Sequence, residues 1–279
     1  MNYRHGFHAG NFADVMKHAA LASWLAYLAR KEAPFAVIDT HSGAGLYDLS
    51  GEAALRTGEA RAGALRLPAE ADAPAALGPY LQALAPFRRG GALTHYPGSP
   101  LIARHFLRAK DRLTVCELHE DEHAALLASV RGDARIAVRH GDGYRALLKL
   151  VPPQQKRGLV LLDPPFEAAD EFVALAKAVM LIHARWPQGG VLAWYPIKSA
   201  QAVAAFHGEI LNAGASDVLA LSLFVRAEEG GAGLAGSGLL AVNAPYTFES
   251  EMGAALDALA PLLAQGPGAR ASISRLAGK

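Results

Sequence analysis

Short, unbroken apolar runs alternate along this chain with stretches in which apolar positions recur every three or four residues. The runs cover 35–39, 113–118, 136–138, 159–162, 191–195, 218–225 and 238–242. A strand that is apolar at successive positions meets a core on both faces, as in a parallel sheet covered by helices. Helical spacing runs between them, at 121–130, 170–184 and 200–213. Another helix is predicted to start near Asn11, whose side chain can cap the chain ahead of Asp14 at the N3 position. It carries Val15, Ala22, Leu25 and Leu28 and stops before Pro34. The pattern therefore predicts an α/β fold with a mostly parallel, seven-stranded sheet.

One interval breaks the alternation. From the glycine turn at Gly43 and Gly45 to the run at 113 lie about 65 residues, whereas a βαβ unit needs roughly 30. Residues 52–90 are rich in Ala, Leu, Glu and Arg and are punctuated by Pro68, Pro74, Pro79 and Pro86. We expect a single domain over 1–279 with a small helical insertion subdomain at 50–95, on the carboxyl edge of the sheet. A mobile loop is expected over 229–238, where glycines cluster.

Composition narrows the class. With 52% apolar and 19% charged residues in 279, the chain is globular. No run reaches the roughly 18 apolar residues of a membrane span, and the first residues lack an apolar signal core. A cytoplasmic protein without membrane contact is expected. Cys116 is the sole cysteine, which excludes internal disulfides and cysteine-based metal sites. His5, His8 and His18 lack a carboxylate or cysteine at ligand spacing, so no metal is expected. A formal net charge of +1 is low for a protein that grips long duplexes. Basic residues still cluster at Arg88-Arg89, at Arg104, Arg108, Lys110 and Arg112, and at Lys156-Arg157.

Candidate chemistry gathers where the apolar runs end. The run at 158–162 opens directly into Asp163-Pro164-Pro165-Phe166. An acid, two prolines and an aromatic at a strand end suit an exocyclic amino group on a flat ring. The carboxylate accepts one N–H, a carbonyl beside the prolines accepts the other, and Phe166 stacks on the base. The tetrapeptide alone is equally consistent with a proline-stiffened turn. Asp39 ends the first run, and Gly43 lets the backbone approach a ligand closely. His41 stands where a GxGxxG turn has its first glycine, which disfavours a dinucleotide cradle. Glu117 suits the two ribose hydroxyls of an adenosine cofactor, and Asp142-Gly143 suits its adenine amino group, because ligands of open α/β sheets sit at carboxyl strand ends. Lys17 and His18 can meet a cofactor carboxylate. Ser99 is expected to cap a helix over 100–107 and to touch the cofactor from there. Tyr3, His5 and His8 either contact an aromatic base and its phosphates or pack onto the sheet.

These segments carry a resemblance. YRHGFHAGNFADVMKH at the start, DTHSGAGLYDL, TGE, YPGSPLIAR, EL at 117–118, GDGY, LLDPPFE and AWYP resemble the bacterial 23S ribosomal RNA adenine-N6 methyltransferase J family over nearly the whole length. The family is named for adenine 2030. The resemblance implies a Rossmann-like class I methyltransferase, with S-adenosylmethionine across the strand ends and touching His18, His41, Ser99, Glu117, Asp142 and Gly143. It implies Asp163 as the catalytic acid and Tyr3 as an RNA contact, supported by His5 and Lys17. It also implies 23S ribosomal RNA as partner; a monomer is expected, with oligomeric state left open by the sequence. The family's tyrosine is replaced here by Phe166, which keeps the stacking face and loses a hydroxyl. Two other readings stay open: a DNA adenine-N6 methyltransferase, and an RNA-binding ribosome assembly factor that does not turn over. A glutamine-N5 methyltransferase would carry Asn at position 163.

Overall fold

A computed structural model describes residues 5–69, 73–228 and 233–278. The first helix, α1 (Phe12–Ala29), starts where the sequence predicts: the Asn11 side chain accepts from the Asp14 amide at 2.9 Å. β1 (Phe35–Asp39) follows and is buried at every position. The chain then makes the glycine turn and the short β2 (Leu46–Asp48). The helices α2 (Glu52–Thr57) and α3 (Gly78–Leu84) come next, and then the strands β3 (Arg88–Arg89), β4 (Ala92–Leu93) and β5 (His95–Pro97). Pairing of β2 with β5 and of β3 with β4 adds two small antiparallel ribbons to a stretch that composition presented as helical.

Regular alternation resumes with α4 (Ser99–Phe106), β6 (Arg112–Glu117), α5 (Glu120–Ser129), β7 (Ile136–His140), α6 (Gly143–Leu150), β8 (Arg157–Leu162), α7 (Glu171–Arg185), β9 (Gly190–Ile197) and α8 (Ala200–Asn212). The remaining elements are β10 (Val218–Phe224), β11 (Gly236–Val242), α9 (Phe248–Leu262) and β12 (Arg270–Ala277). The main sheet runs β12-β10-β11-β9-β8-β1-β6-β7. From β9 to β7 the strands are parallel; β10, β11 and β12 pair antiparallel.

The sheet thus has eight strands where seven were expected. The additional one, β12, alternates exposed and half-buried positions and carries arginines and serines instead of an apolar run. As an edge strand it needs only one partner. Arg270 lies opposite Phe224 and sets its guanidinium 3.9 Å from that ring, and Ser272 shares a hydroxyl hydrogen bond with Ser222 at 2.8 Å. No helix among the described residues is long and apolar enough to cross a membrane.

Two apolar cores lie on the two faces of the sheet. On one face α1 is buried almost along its whole length. Its Trp24 is 1% exposed and tilts against Phe248 of α9 with centroids 5.0 Å apart. On the other face α7 and α8 pack with Trp186 and Phe206. Strand order reverses between β1 and β8: the chain goes from β1 outward through β6 and β7, then returns to the other side of β1. That crevice, at the carboxyl ends of the strands, is where α/β sheets bind ligands.

The fit of Trp24 to the sheet gives a stability test. A Cβ built on Gly190 would sit 2.5 Å from the indole, whereas one on Gly208, in α8, meets nothing within 4 Å. Gly190→Ala is expected to lower unfolding free energy by about 1–3 kcal/mol through overpacking, and Gly208→Ala to leave it equal or raise it by up to about 1 kcal/mol. Urea midpoints of the two variants check this; equal midpoints would contradict the packing described.

Candidate active site

A cavity of about 730 Å³ opens at that crevice, within the range of small-molecule sites. Predicted site residues that line it are His5, Lys17, His18, His41, Gly43, Ser99, Glu117, Asp142, Gly143, Asp163, Pro164 and Phe166, whereas Asp39 is buried behind them at 1% exposure. Tyr3 lies outside the described residues, and so do 229–232 of the glycine-rich segment. No group of three or more His, Cys, Asp or Glu side chains among the described residues is placed to hold a metal ion.

Parallel strands deliver four acids in a row. Asp39 ends β1 and Glu117 ends β6; Asp142 and Asp163 stand just beyond β7 and β8. The Glu117 carboxylate accepts from the Gly43 amide at 2.8 Å and the His119 amide at 2.7 Å, so each oxygen is oriented and keeps acceptor capacity. Gly43 has φ +59°, and a Cβ there would meet the Tyr47 hydroxyl at 2.1 Å. Asp142 caps α6, accepting from the Tyr144 and Arg145 amides through Oδ1. Gly143 starts that helix against the Thr40 carbonyl, where a Cβ would lie 2.0 Å from the oxygen.

His41 is fixed by a short relay. The Thr40 hydroxyl donates to the Leu161 carbonyl at 3.0 Å, so it accepts from His41 Nδ1–H at 2.7 Å. The ring therefore keeps Nε2 as an acceptor. Burial lowers its pKa to about 4, which holds the imidazole neutral, and its edge meets Tyr144 with centroids 4.9 Å apart. His18 is deeper, at 1% exposure, and burial takes it down to about 3. Its Nδ1 shares a hydrogen bond with the Tyr96 hydroxyl at 2.7 Å, which continues to Tyr80 at 2.9 Å.

The reacting end is organised by α1. Lys17 Nζ bonds Asp163 Oδ2 and also lies 2.8 Å from Asp14 Oδ1. Asp14 Oδ2 in turn accepts from His5 Nε2 at 2.9 Å and the Gly10 amide at 2.8 Å. Despite burial, His5 and Lys17 hold the Asp14 carboxyl well below its ordinary pKa, and Asp14 and Asp163 raise that of Lys17. The tetrad reads His5–Asp14–Lys17–Asp163. Phe166 sits at φ +51°, rare for a bulky residue, with its ring edge-on to Phe172 and Trp194.

Ser99 corrects one expectation. Gly98 takes the cap position of α4 without a side-chain bond, and Ser99 Oγ instead donates to Asp39 Oδ2 at 2.7 Å. Sequence reasoning also passed over His119 and Glu122. Both line the cavity, and His119 Nδ1 and Glu122 Oε2 are buried without a hydrogen-bond partner among the described residues. Buried polar atoms left so suit a polar ligand. Their position two and five residues after Glu117, on the turn into α5, was the available signal. Asp14, Tyr144 and Trp194 were legible only as capping or motif letters.

Asp39 yields a pH test. Burial pushes its pKa up to about 6, opposed by the Ser99 hydroxyl. A carboxyl raised in the folded state destabilises it when ionised, by about 3 kcal/mol well above pH 6, and leaves it unaffected below the unfolded value near 4. Asp39→Asn lacks this penalty. Its stability relative to the parent is expected to rise by roughly 2 kcal/mol from about pH 4 to about pH 8. Chemical denaturation at both pH values checks it; a difference independent of pH would contradict the buried, ionising carboxyl.

Comparison with known proteins places this site in a family. A profile described as "Ribosomal RNA large subunit methyltransferase D, RlmJ" matches residues 32–274. The chain is 37% identical over 252 residues to ribosomal RNA large subunit methyltransferase J of Escherichia coli K12, covering 90% of each protein. It is 36% identical over 253 residues to the Haemophilus influenzae Rd protein of the same name, again covering 90% of each. A crystal structure of a Legionella pneumophila protein superposes with a TM-score of 0.87 at 33% identity, over 98% of this chain and 99% of that one. With a cavity built at the strand ends and relatives this similar along most of its length, the chain belongs to the RlmJ family of ribosomal RNA large subunit methyltransferases.

Proposed function

We propose that this protein transfers a methyl group from S-adenosylmethionine to the N6 amino group of an adenine in 23S ribosomal RNA. The observation that carries the reading is the placement of Asp163. It stands between the acids of β1, β6 and β7 on one side and the aromatic ends of β8 and β9 on the other, gripped at one oxygen by a buried ammonium.

The residues fit that cofactor. Glu117 keeps acceptor capacity on both oxygens for a ribose diol, and Asp142 Oδ2, with only the exposed Arg145 guanidinium 3.5 Å away, keeps acceptor capacity for an adenine amino group once Oδ1 has capped α6. His119 Nδ1 and Glu122 Oε2 supply further polar atoms that have no protein partner among the described residues. A carboxylate-rich lining also suits a positively charged ligand. When bound, the cofactor supplies an activated methyl on a cationic sulfonium.

The chain's own residues handle the acceptor. An aromatic amine is a poor nucleophile because its lone pair is delocalised into the ring. Asp163, held at Oδ2 by Lys17, accepts one N6–H through Oδ1, and the Pro164 carbonyl accepts the other. Both bonds favour a pyramidal nitrogen whose lone pair faces the methyl; as the N–C bond forms and the C–S bond breaks, the proton that N6 must shed leaves by way of the Asp163 carboxylate to solvent. Lys17 leaves Asp163 no freedom to swing away, and alignment of this kind is worth several kcal/mol. Bringing the base out of its stack costs a few kcal/mol, offset by roughly 1–3 kcal/mol of stacking on Phe166.

Asp163→Asn replaces one acceptor with a donor and leaves Lys17 paired with Asp14 alone. Methyl transfer to 23S ribosomal RNA, followed with labelled S-adenosylmethionine, is expected to fall by at least about 100-fold. Calorimetric binding of S-adenosylhomocysteine is expected to stay within a few-fold of the parent. Turnover close to the parent's in this variant would sink the assignment.

A further inference from the structure

The strand ends divide the cavity by chemistry. Glu117 at the end of β6 and Asp142 just beyond β7 present the acids that suit the cofactor, Asp163 after β8 marks the reacting centre, and β9 is next on the far side. Trp194 and Pro196 in β9 and Lys198 just beyond it follow at two-residue spacing and all line the cavity. Tyr195, between them, is buried on the opposite face with Phe172 and Phe206, as strand alternation requires. Neither Trp194 nor Lys198 has a part in the chemistry above.

Two observations give them one. The Trp194 ring stands 5.7 Å from Phe166 at 85°, so the two rings make a corner beside Asp163. Its Nε1 donates to the fully buried Ser237 hydroxyl at 2.9 Å, which fixes the indole, and Lys17 Nζ lies 6.0 Å from its centroid. A corner of this kind holds a flat purine by one face and one edge. The second observation is charge. The described lining residues include eight acidic side chains, two lysines and no arginine. Lys17 is engaged by Asp14 and Asp163, whereas Lys198 is exposed and forms no ion pair among the described residues. A lining this acidic opposes a phosphodiester everywhere except beside Lys198.

We propose that Trp194 and Lys198 form the nucleotide subsite of this cavity: Trp194 is the second aromatic wall against the target base, and Lys198 pairs with a phosphate flanking it. The proposal rests on the adenine-N6 reading and names what positions its substrate. Both side chains act on RNA and neither acts on the cofactor, so their loss separates the two ligands.

Steady-state methylation of a 23S ribosomal RNA transcript by the full chain tests it, with S-adenosylhomocysteine binding measured in parallel. Trp194→Ala is expected to raise KM for RNA roughly 5- to 100-fold, with Trp194→Phe recovering most of the loss. Lys198→Gln is expected to raise KM and to flatten the slope of log(kcat/KM) against log salt by about 1, and Lys198→Arg to restore both. S-adenosylhomocysteine affinity is expected to stay unchanged in all four variants, which also reports that they fold. A parent-like KM and salt slope in Lys198→Gln and a parent-like KM in Trp194→Ala, while the parent methylates RNA, would overturn the subsite and leave the adenine reading standing. Weakened S-adenosylhomocysteine binding in Lys198→Gln would overturn it too, by placing Lys198 on the cofactor side. A parent that transfers no methyl would instead bring down the adenine reading, and the subsite with it.

Discussion

One buried ammonium organises this molecule. The Lys17 side chain is 4% exposed and is shared between Asp14, three residues earlier on its own helix, and Asp163, at the end of a strand 146 residues away. A lone charge so placed is costly, and removing one partner of such a group typically destabilises by about 3–5 kcal/mol. The consequence is geometric. The first turn of α1 cannot leave the carboxyl end of β8 without parting Lys17 from Asp163. Asp14 extends the tie to the segment before the helix through His5 and the Gly10 amide. His8 and Asn11 then join it to Glu59, at 2.9 and 3.0 Å. Residues 5–11 are thereby held at the cavity by charge and hydrogen bonds.

The same economy of polar groups sorts the rest of the site. Acids at the ends of β1, β6 and β7 are oriented by main-chain amides or, for Asp39, by a serine hydroxyl. His18 and His41 are held neutral by burial, so they add hydrogen-bonding atoms without cancelling the negative field. Under the proposed chemistry that field favours a cationic methyl donor and disfavours the phosphates of its RNA partner. Recognition of the two ligands then has to be spatially separate. The aromatic and cationic groups gather at β8 and β9, on the other side of Asp163.

Much of this was legible in the sequence because parallel α/β folds write plainly. Buried strands appear as continuous apolar runs, and the residue after each run lands at the ligand edge. Asp39, Glu117, Asp142 and Asp163 were readable for that reason, and Asn11 and Asp14 by the spacing of a helix cap. What escaped reading depended on long-range partners. β12 is an edge strand with a polar face, so its partner β10 and not its own pattern makes it a strand. The ribbons β2–β5 and β3–β4 are too short to show alternation. Ser99 looked like a cap because serine often is one; only the fold brings Asp39 to its hydroxyl. The Lys17–Asp163 pair is invisible to spacing, since nothing local relates residues so far apart. Phe166 replaces the tyrosine expected by resemblance, and its contacts with Phe172 and Trp194 are made by the ring face and edge alone.

The central claim is that Asp163 directs a methyl group onto an exocyclic adenine nitrogen. It is tested most directly by incubating the purified protein with S-adenosylmethionine and unmodified 23S ribosomal RNA, digesting to nucleosides and identifying the methylated product by mass spectrometry. The account predicts N6-methyladenosine as the product. A methyl group on a ring nitrogen, a ring carbon or a ribose hydroxyl would contradict it.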